Sequence, residues 1–149
     1  MAETPSERGL MRLNHQDLSD VEALLRLCGL PFEDCAEHID AFLGSRDGDT
    51  LCAVGGMECI GPIGLLRSIA VHPDSRGQGL AVDITRELLE RARASGVREV
   101  YLLTETAEQY FSDFGFCTVD RDRLPPEIRA TRQFESLCPS SAQAMRLDL

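Results

Sequence analysis

The sequence predicts a single α/β domain, a mixed sheet flanked by helices, and three observations predict it. The chain has 149 residues, the size of one domain with one core. Leu80, Ile84, Leu88 and Ala92 recur at intervals of four, so one face of a helix starting at residue 80 is buried. Two apolar runs bracket that helix, LLRSIAV (65–71) and VYLL (100–103). Nearly continuous apolar runs read as strands buried on both faces, and a helical crossover between them makes them parallel.

The remaining elements follow in order. MAETPSERGL lacks an apolar core, so residues 1–8 read as a flexible tail and 9–149 as the domain. GLMRL (9–13) is a short first strand. Asp17 reads as the N-cap of a helix carrying Leu18, Val21, Leu24 and Leu25 and ending near Gly29. A second helix is expected over 32–43, with Phe32, Cys35, Ile39 and Phe42 or Leu43 inward, then a turn at SRDGD (45–49). TLCAV (50–54) and GMECI (56–60) are two strands, and GPIG (61–64) is a loop. Gly96 closes the helix from 80. A short helix at 106–114, a strand near 116–119 and a closing edge strand, MRLDL, complete the chain.

Composition removes several function classes. A net charge of −10 disfavours nucleic acid and anionic membranes as partners. The best apolar stretch, IGPIGLLRSIAV, is interrupted by Arg67 and is too short to span a bilayer. Six cysteines without a C-x-x-C pair, and three scattered histidines, give no zinc pattern and no metal site. Without a secretory signal, the thiols read as reduced, mostly core residues of a cytoplasmic protein.

The stretch HPDSRGQGLAVDITRELL (72–89) carries the chemistry. Arg76-Gly77-Gln78-Gly79-Leu80-Ala81 lies between a buried strand and a helix N-terminus, where exposed N–H groups suit an anion. No Lys-Ser/Thr follows the last glycine, so it is not a P-loop. Val82 stands where a dinucleotide fingerprint needs glycine. A pyrophosphate is the natural occupant, and a plain strand-to-helix turn without a ligand is the other reading.

Val71-x-Pro73 followed by Arg76-Gly77-x-Gly79-x-Ala81 resembles the acetyl-CoA motif of the GNAT N-acetyltransferases, Q/R-x-x-G-x-G/A. Thr104, Ala107, Phe111, Gly115 and Phe116 stand at the offsets of that family's second motif, N-x-x-A-x-x-x-Y-x-x-x-G-F. The resemblance spans about residues 9–119. The tail LPPEIRATRQFESLCPSSAQAM (124–145) resembles the arsenic-resistance (ArsN-type) branch, relatives of the amino-acid N-acetyltransferases.

That resemblance implies a mostly antiparallel sheet whose central parallel pair splays to admit acetyl-CoA. The acceptor would be a small-molecule amine, an amino acid or analogue and one that can contain arsenic. A polyamine or peptide amine, a sensor that binds acetyl-CoA without turnover, and a homodimer stay open. Ile69, Ala70 and Val71 would hold the pantetheine arm, and the backbone near Ile69 would polarise the thioester carbonyl. Residues 76–81 would hold the pyrophosphate, with Thr104, Ala107 and Phe111 on the facing strand and helix. Phe111 replaces the tyrosine that usually serves as general acid, so neighbouring Tyr110 either takes that role or merely packs. Glu58 is the candidate base, with Glu105 and His72 as weaker ones. A guanidinium in an apolar strand must meet an anion or reach water. Arg67 is therefore either tied to an internal carboxylate or, as preferred here with Ser68, aimed at an acceptor carboxylate. Arg129, Thr131, Arg132 and Ser141 are candidates to close that pocket, with a surface role for the two arginines as the equal alternative.

Overall fold

The computed structural model describes residues 9–149; the expected tail, 1–8, lies outside them. Seven strands form one sheet: β1 (Met11–Arg12), β2 (Phe42–Asp47), β3 (Thr50–Ile60), β4 (Ile63–Val71), β5 (Glu99–Thr104), β6 (Cys117–Val119) and β7 (Gln143–Asp148). Their spatial order is β1-β2-β3-β4-β5-β7-β6, antiparallel except for the β4–β5 pair. The helices are α1 (Leu18–Leu27), α2 (Cys35–His38), α3 (Leu80–Ala94), α4 (Glu108–Asp113) and α5 (Pro126–Arg129). Among the described residues, no helix is long and apolar enough to cross a membrane.

The sheet is covered on both faces. Leu80, Ile84, Leu88 and Ala92 of α3 pack with Phe111 of α4 against Ala53, Met57, Leu66, Val100 and Leu102. On the other face, Val21, Leu24 and Leu25 of α1 join Cys35, Ile39, Phe42, Val54 and Ala70. Ile128 of α5 packs nearby on Leu65 and Tyr101. Gly96, at φ +99°, ends α3 as the sequence indicates.

Several boundaries differ from expectation. The second helix is a single turn, continued by a 3-10 turn at Ile39–Ala41. Phe42 already opens β2, so only Gly48 and Asp49 form the turn expected over 45–49. Phe42 and Leu43 are buried either way, and burial alone does not separate a strand from a helix in a short apolar run. The expected strands at 50–54 and 56–60 are one strand, and the loop before β4 shrinks to Gly61 and Pro62. Asp17 makes no side-chain cap to α1; Asn14 caps the preceding 3-10 turn, and Asp17 completes its capping box. The closing segment is not an edge strand, because β7 inserts between β5 and β6. The cysteines are all free but only Cys35 and Cys52 are buried; Cys28 and Cys138 are half-buried, and Cys59 and Cys117 exposed.

Candidate active site

β4 and β5 are paired through Ile63–Glu99, Gly64–Val100 and Leu65–Tyr101. Beyond these three residues the strands part, and β5 continues only against β7. A cleft of about 560 Å³ occupies the opening. Leu66–Val71 line one wall, Leu102–Ala107 with Tyr110 and Phe111 the other, and the glycine loop its mouth.

A bulge in β4 shapes the first wall. On the β3 side, Gly56 faces Arg67 and Val54 faces Ala70, so Gly55 alone spans Ser68 and Ile69. Ser68 has φ +61°, and among the described residues it is the only non-glycine at positive φ. The extra residue resets the side-chain alternation. Leu66 packs toward α3 and Arg67 toward the α1–α2 face; after Ser68, Ile69 and Val71 face α3 again and Ala70 faces α1. Without the bulge those three side chains would exchange faces. Gly55 leaves the room this needs, since a Cβ there would stand 2.6 Å from both Ile69 Cδ1 and Ile84 Cγ2.

The loop at the mouth matches the sequence reading. Gly77 and Gly79 hold φ +82° and +81°, with Gly79 the N-cap of α3. A Cβ on Gly77 would meet nothing within 4 Å, so that backbone stands open to the cleft. Arg76 is exposed and anchored by Nε donating to the Val71 carbonyl (3.1 Å). This cradle of N–H groups, helix terminus and guanidinium fits a diphosphate.

Ile69, Ala70, Val71, Arg76, Gly77, Gly79, Leu80, Ala81, Thr104, Ala107 and Phe111 all line the cleft, as do Tyr110, Arg67 and Ser68. Gln78 turns to a second, polar hollow beside Ser45, Arg46 and His72. Glu58, Arg129, Thr131 and Ser141 are not in the lining. Thr131 is buried, its hydroxyl donating to the Ile128 carbonyl (2.7 Å). Arg129 is exposed at the end of α5. Arg132 pairs with Glu37, and Ser141 donates to Glu105 Oε2 (3.4 Å). The tail instead contributes Cys138, Pro139 and Ala142. Cys28 to Pro31, after α1, also line the cleft, which no residue pattern announced.

Arg67 does not offer an open fork to an acceptor. Its side chain is 1% exposed. Nη1 donates to Asp34 Oδ2 (2.7 Å) and Glu58 Oε2 (2.8 Å), Nη2 to Asp34 Oδ1 (2.5 Å), and Nε to Ser68 Oγ (3.1 Å). Burial by itself would raise the Asp34 carboxyl, but the hydrogen bonds and charge of Arg67 outweigh it and hold it below the usual carboxylate range. Asp34, His38 and Glu58 bring one ligand atom each within 4.8 Å of one another, yet the cation seated on both carboxylates is this guanidinium. Glu58, the expected base, is thus committed to Arg67 behind the cleft wall.

Tyr110 also departs from its expected role. Its ring stacks edge-on against Phe111 (4.9 Å between centroids). Burial raises the phenol pKa against the opposing influence of nearby Thr85 of α3. That proximity falls short of a bond: neither Tyr110 Oη nor Thr85 Oγ1 has a hydrogen-bond partner among the described residues. The hydroxyl is sequestered toward α3. His72 is likewise engaged, its Nδ1 accepting from the Asp74 N–H (3.1 Å).

A splayed parallel pair, a bulge at its fork and a glycine loop at its mouth are assembled from one continuous region. The acetyltransferase (GNAT) family pattern matches residues 12–116. The chain belongs to the GNAT family. Among curated relatives, an amino-acid acetyltransferase of Edwardsiella ictaluri is 27% identical over 139 residues, 87% of this chain and 32% of the relative. The chain therefore spans about a third of that relative's length. Of solved structures, N-acetylglutamate synthase from Neisseria gonorrhoeae, complexed with coenzyme A and N-acetyl-glutamate, superposes with a TM-score of 0.81 at 19% identity, covering 95% of this chain and 35% of that one. Rv2747 from Mycobacterium tuberculosis, in complex with CoA and NLQ, gives 0.78 at 20% identity, covering 94% and 98%. At such identities these likenesses establish the GNAT fold, a single α/β domain with a mixed seven-stranded sheet.

Proposed function

We propose that this chain transfers the acetyl group of acetyl-CoA to the amino group of a small acceptor, an amino acid or amino-acid analogue. The observation that carries the proposal is the cleft opening between β4 and β5 and leading directly to the loop 76–81. In this reading the backbone of Ile69, Ala70 and Val71 aligns the pantetheine arm. The N–H groups of residues 77–81 and the Arg76 charge take the pyrophosphate. Thr104, Ala107 and Phe111 form the facing wall. The acceptor nitrogen attacks the thioester carbon, the C–S bond breaks, and a proton passes from the nitrogen to water or to the departing thiolate. A coenzyme A thiolate is a tolerable leaving group, so positioning and a backbone N–H near Ile69 carry the rate, with no side-chain acid required.

The amino-acid part of the reading rests on the relatives' names, and the arsenic-containing analogues on the likeness of residues 124–145. One observation favours a second acceptor class. Arg67 is neutralised by Asp34 and Glu58, and Glu105 adds a carboxylate to the cleft, which suits a polyamine. We place the activity in the cytoplasm.

Thiol release from acetyl-CoA tests this across glutamate, other amino acids, phosphinic and arsinic amino-acid analogues, and spermidine. Release with an amino acid or analogue is expected. Release with spermidine alone moves the assignment to the polyamine class. Silence throughout, with acetyl-CoA bound by calorimetry, makes the chain a non-catalytic acetyl-CoA-binding module.

A further inference from the structure

Ser68 sits in a backbone conformation that costs a residue with a Cβ about 1–3 kcal/mol unless its surroundings enforce it. One side-chain hydrogen bond reaches it, from Arg67 Nε to its Oγ. The arginine is in turn oriented from outside the strand. Asp34, at the entry to α2, grips both terminal nitrogens of the guanidinium end-on, and Glu58 of β3 takes the remaining hydrogen of Nη1. Phe42 backs the guanidinium with its ring centroid 5.5 Å away. Asp34 is 1% exposed, so this grip is not loosened by solvent. The strained serine, the arginine and the aspartate therefore form a relay running from the α1–α2 face to the fork of the cleft.

We propose that Asp34 is a positioning residue: through Arg67 it holds Ser68 in the left-handed conformation that keeps the β4 bulge, and with it the backbone at Ile69, in register with the thioester. The proposal rests on the acetyl-CoA reading above. Asp34 touches neither the cleft nor a reacting group, and acts only by fixing where the polarising N–H points. A mispointed donor loses most of its effect on a carbonyl while the diphosphate cradle, further along the chain at 76–81, is untouched.

The test uses acetyl-CoA labelled with carbon-13 at its carbonyl, bound to the full chain, and reads the isotope-edited infrared carbonyl band beside the calorimetric Kd. No acceptor is needed. In the unsubstituted protein the bound band is expected at lower wavenumber than in free acetyl-CoA. Asp34→Asn should lose at least half of that shift while Kd changes by less than about threefold. In a Ser68→Gly background, where positive φ carries no Cβ penalty, the same Asp34→Asn change should lose much less of it. A lowered Tm with the band unmoved would make Asp34 purely structural and overturn the proposal, as would equal losses in both backgrounds. Should Asp34→Asn fail to fold, Ser68→Ala and Ser68→Gly leave the buried charges intact. Ser68→Ala should then lose more of the shift than Ser68→Gly, and equal shifts would overturn the proposal. If acetyl-CoA does not bind at all, the acetyl-CoA reading itself falls, an outcome separate from a bound but unshifted carbonyl.

Discussion

The two ends of the cleft are built by different means. The mouth is backbone: residues 69–82 run continuously from β4 through two left-handed glycines into α3, and the Arg76 side chain folds back onto the Val71 carbonyl. The opposite end is side chains from separated segments: Arg67 on β4 and Cys138 after α5 line it, and Asp34 before α2 and Glu58 on β3 hold Arg67 from behind its wall. The mouth owes its chemistry to local geometry, and its charges remain accessible. The inner end owes its chemistry to burial, where each charge must be matched by another. A change at the mouth should therefore cost more binding than stability, and a change at the inner end should do the reverse.

The largest expected effect is at the mouth. Gly79→Asp puts a Cβ at φ +81° and a carboxylate beside the expected diphosphate. Acetyl-CoA affinity should fall by at least about 100-fold in calorimetry, while stability falls only by the cost of a Cβ at positive φ, about 1–2 kcal/mol. Unchanged affinity would detach the loop from the cofactor.

Arg67→Met breaks the inner end. It leaves Asp34 and Glu58 as buried carboxylates without their cation, and denaturant titration should show a loss of about 3–5 kcal/mol. Acetyl-CoA affinity of the folded fraction should hold. Equal loss of both would mean that the two ends are not independent.

Gly55→Val tests the bulge between them. With Ile69 and Ile84 already 2.6 Å from an ideal Cβ, overpacking should cost about 1–3 kcal/mol and slow thiol release by displacing Ile69. Full turnover with lowered stability would show that the position of Ile69 does not matter.

The pH response comes next. The folded-state pKa of Asp34 lies below its ordinary 3.8, so the unfolded chain binds the proton more readily. The stability this contributes is complete above about pH 5 and drains away as pH falls through 3.8 toward the folded value. Asp34→Asn should flatten that acid limb in chemical denaturation measured from pH 3 to 6. An unchanged limb would mean that Arg67 does not hold Asp34 ionised.

The smallest effect is at Tyr110. Its hydroxyl is buried without a partner among the described residues, so Tyr110→Phe should leave kcat within about twofold and raise stability by about 1 kcal/mol. A tenfold loss of kcat would restore it as the general acid.

These expectations divide as the legibility of the sequence does. The loop 76–81 and α3 were readable because each is specified by neighbours along the chain: glycines where φ is positive, apolar residues every fourth position, Gly96 at the end. The parallel β4–β5 pair was readable for the same reason, since one crossover helix joins the two strands. The run of 32–43 was not, because Phe42 and Leu43 are buried in a strand as well as they would be in a helix. The place of the closing strand is hidden for a similar reason: it packs inside the sheet, between β5 and β6, and no local pattern says which neighbour a strand finds.

Arg67 marks the boundary between the two kinds of knowledge. Its place in an apolar strand dictated that it meet an anion or reach water, and the sequence by itself determined that much, together with the fold class and the glycine loop that opens α3. Which anion it meets was decided by tertiary structure. Asp34 stands 33 residues away in sequence and Glu58 nine, and their distance in space depends on how α1 and β3 pack against the sheet. The bulge at Ser68 belongs to the same class. Its conformation follows from two faces of packing and a buried ion pair closing on it at once, and a serine in a strand carries no sign of that.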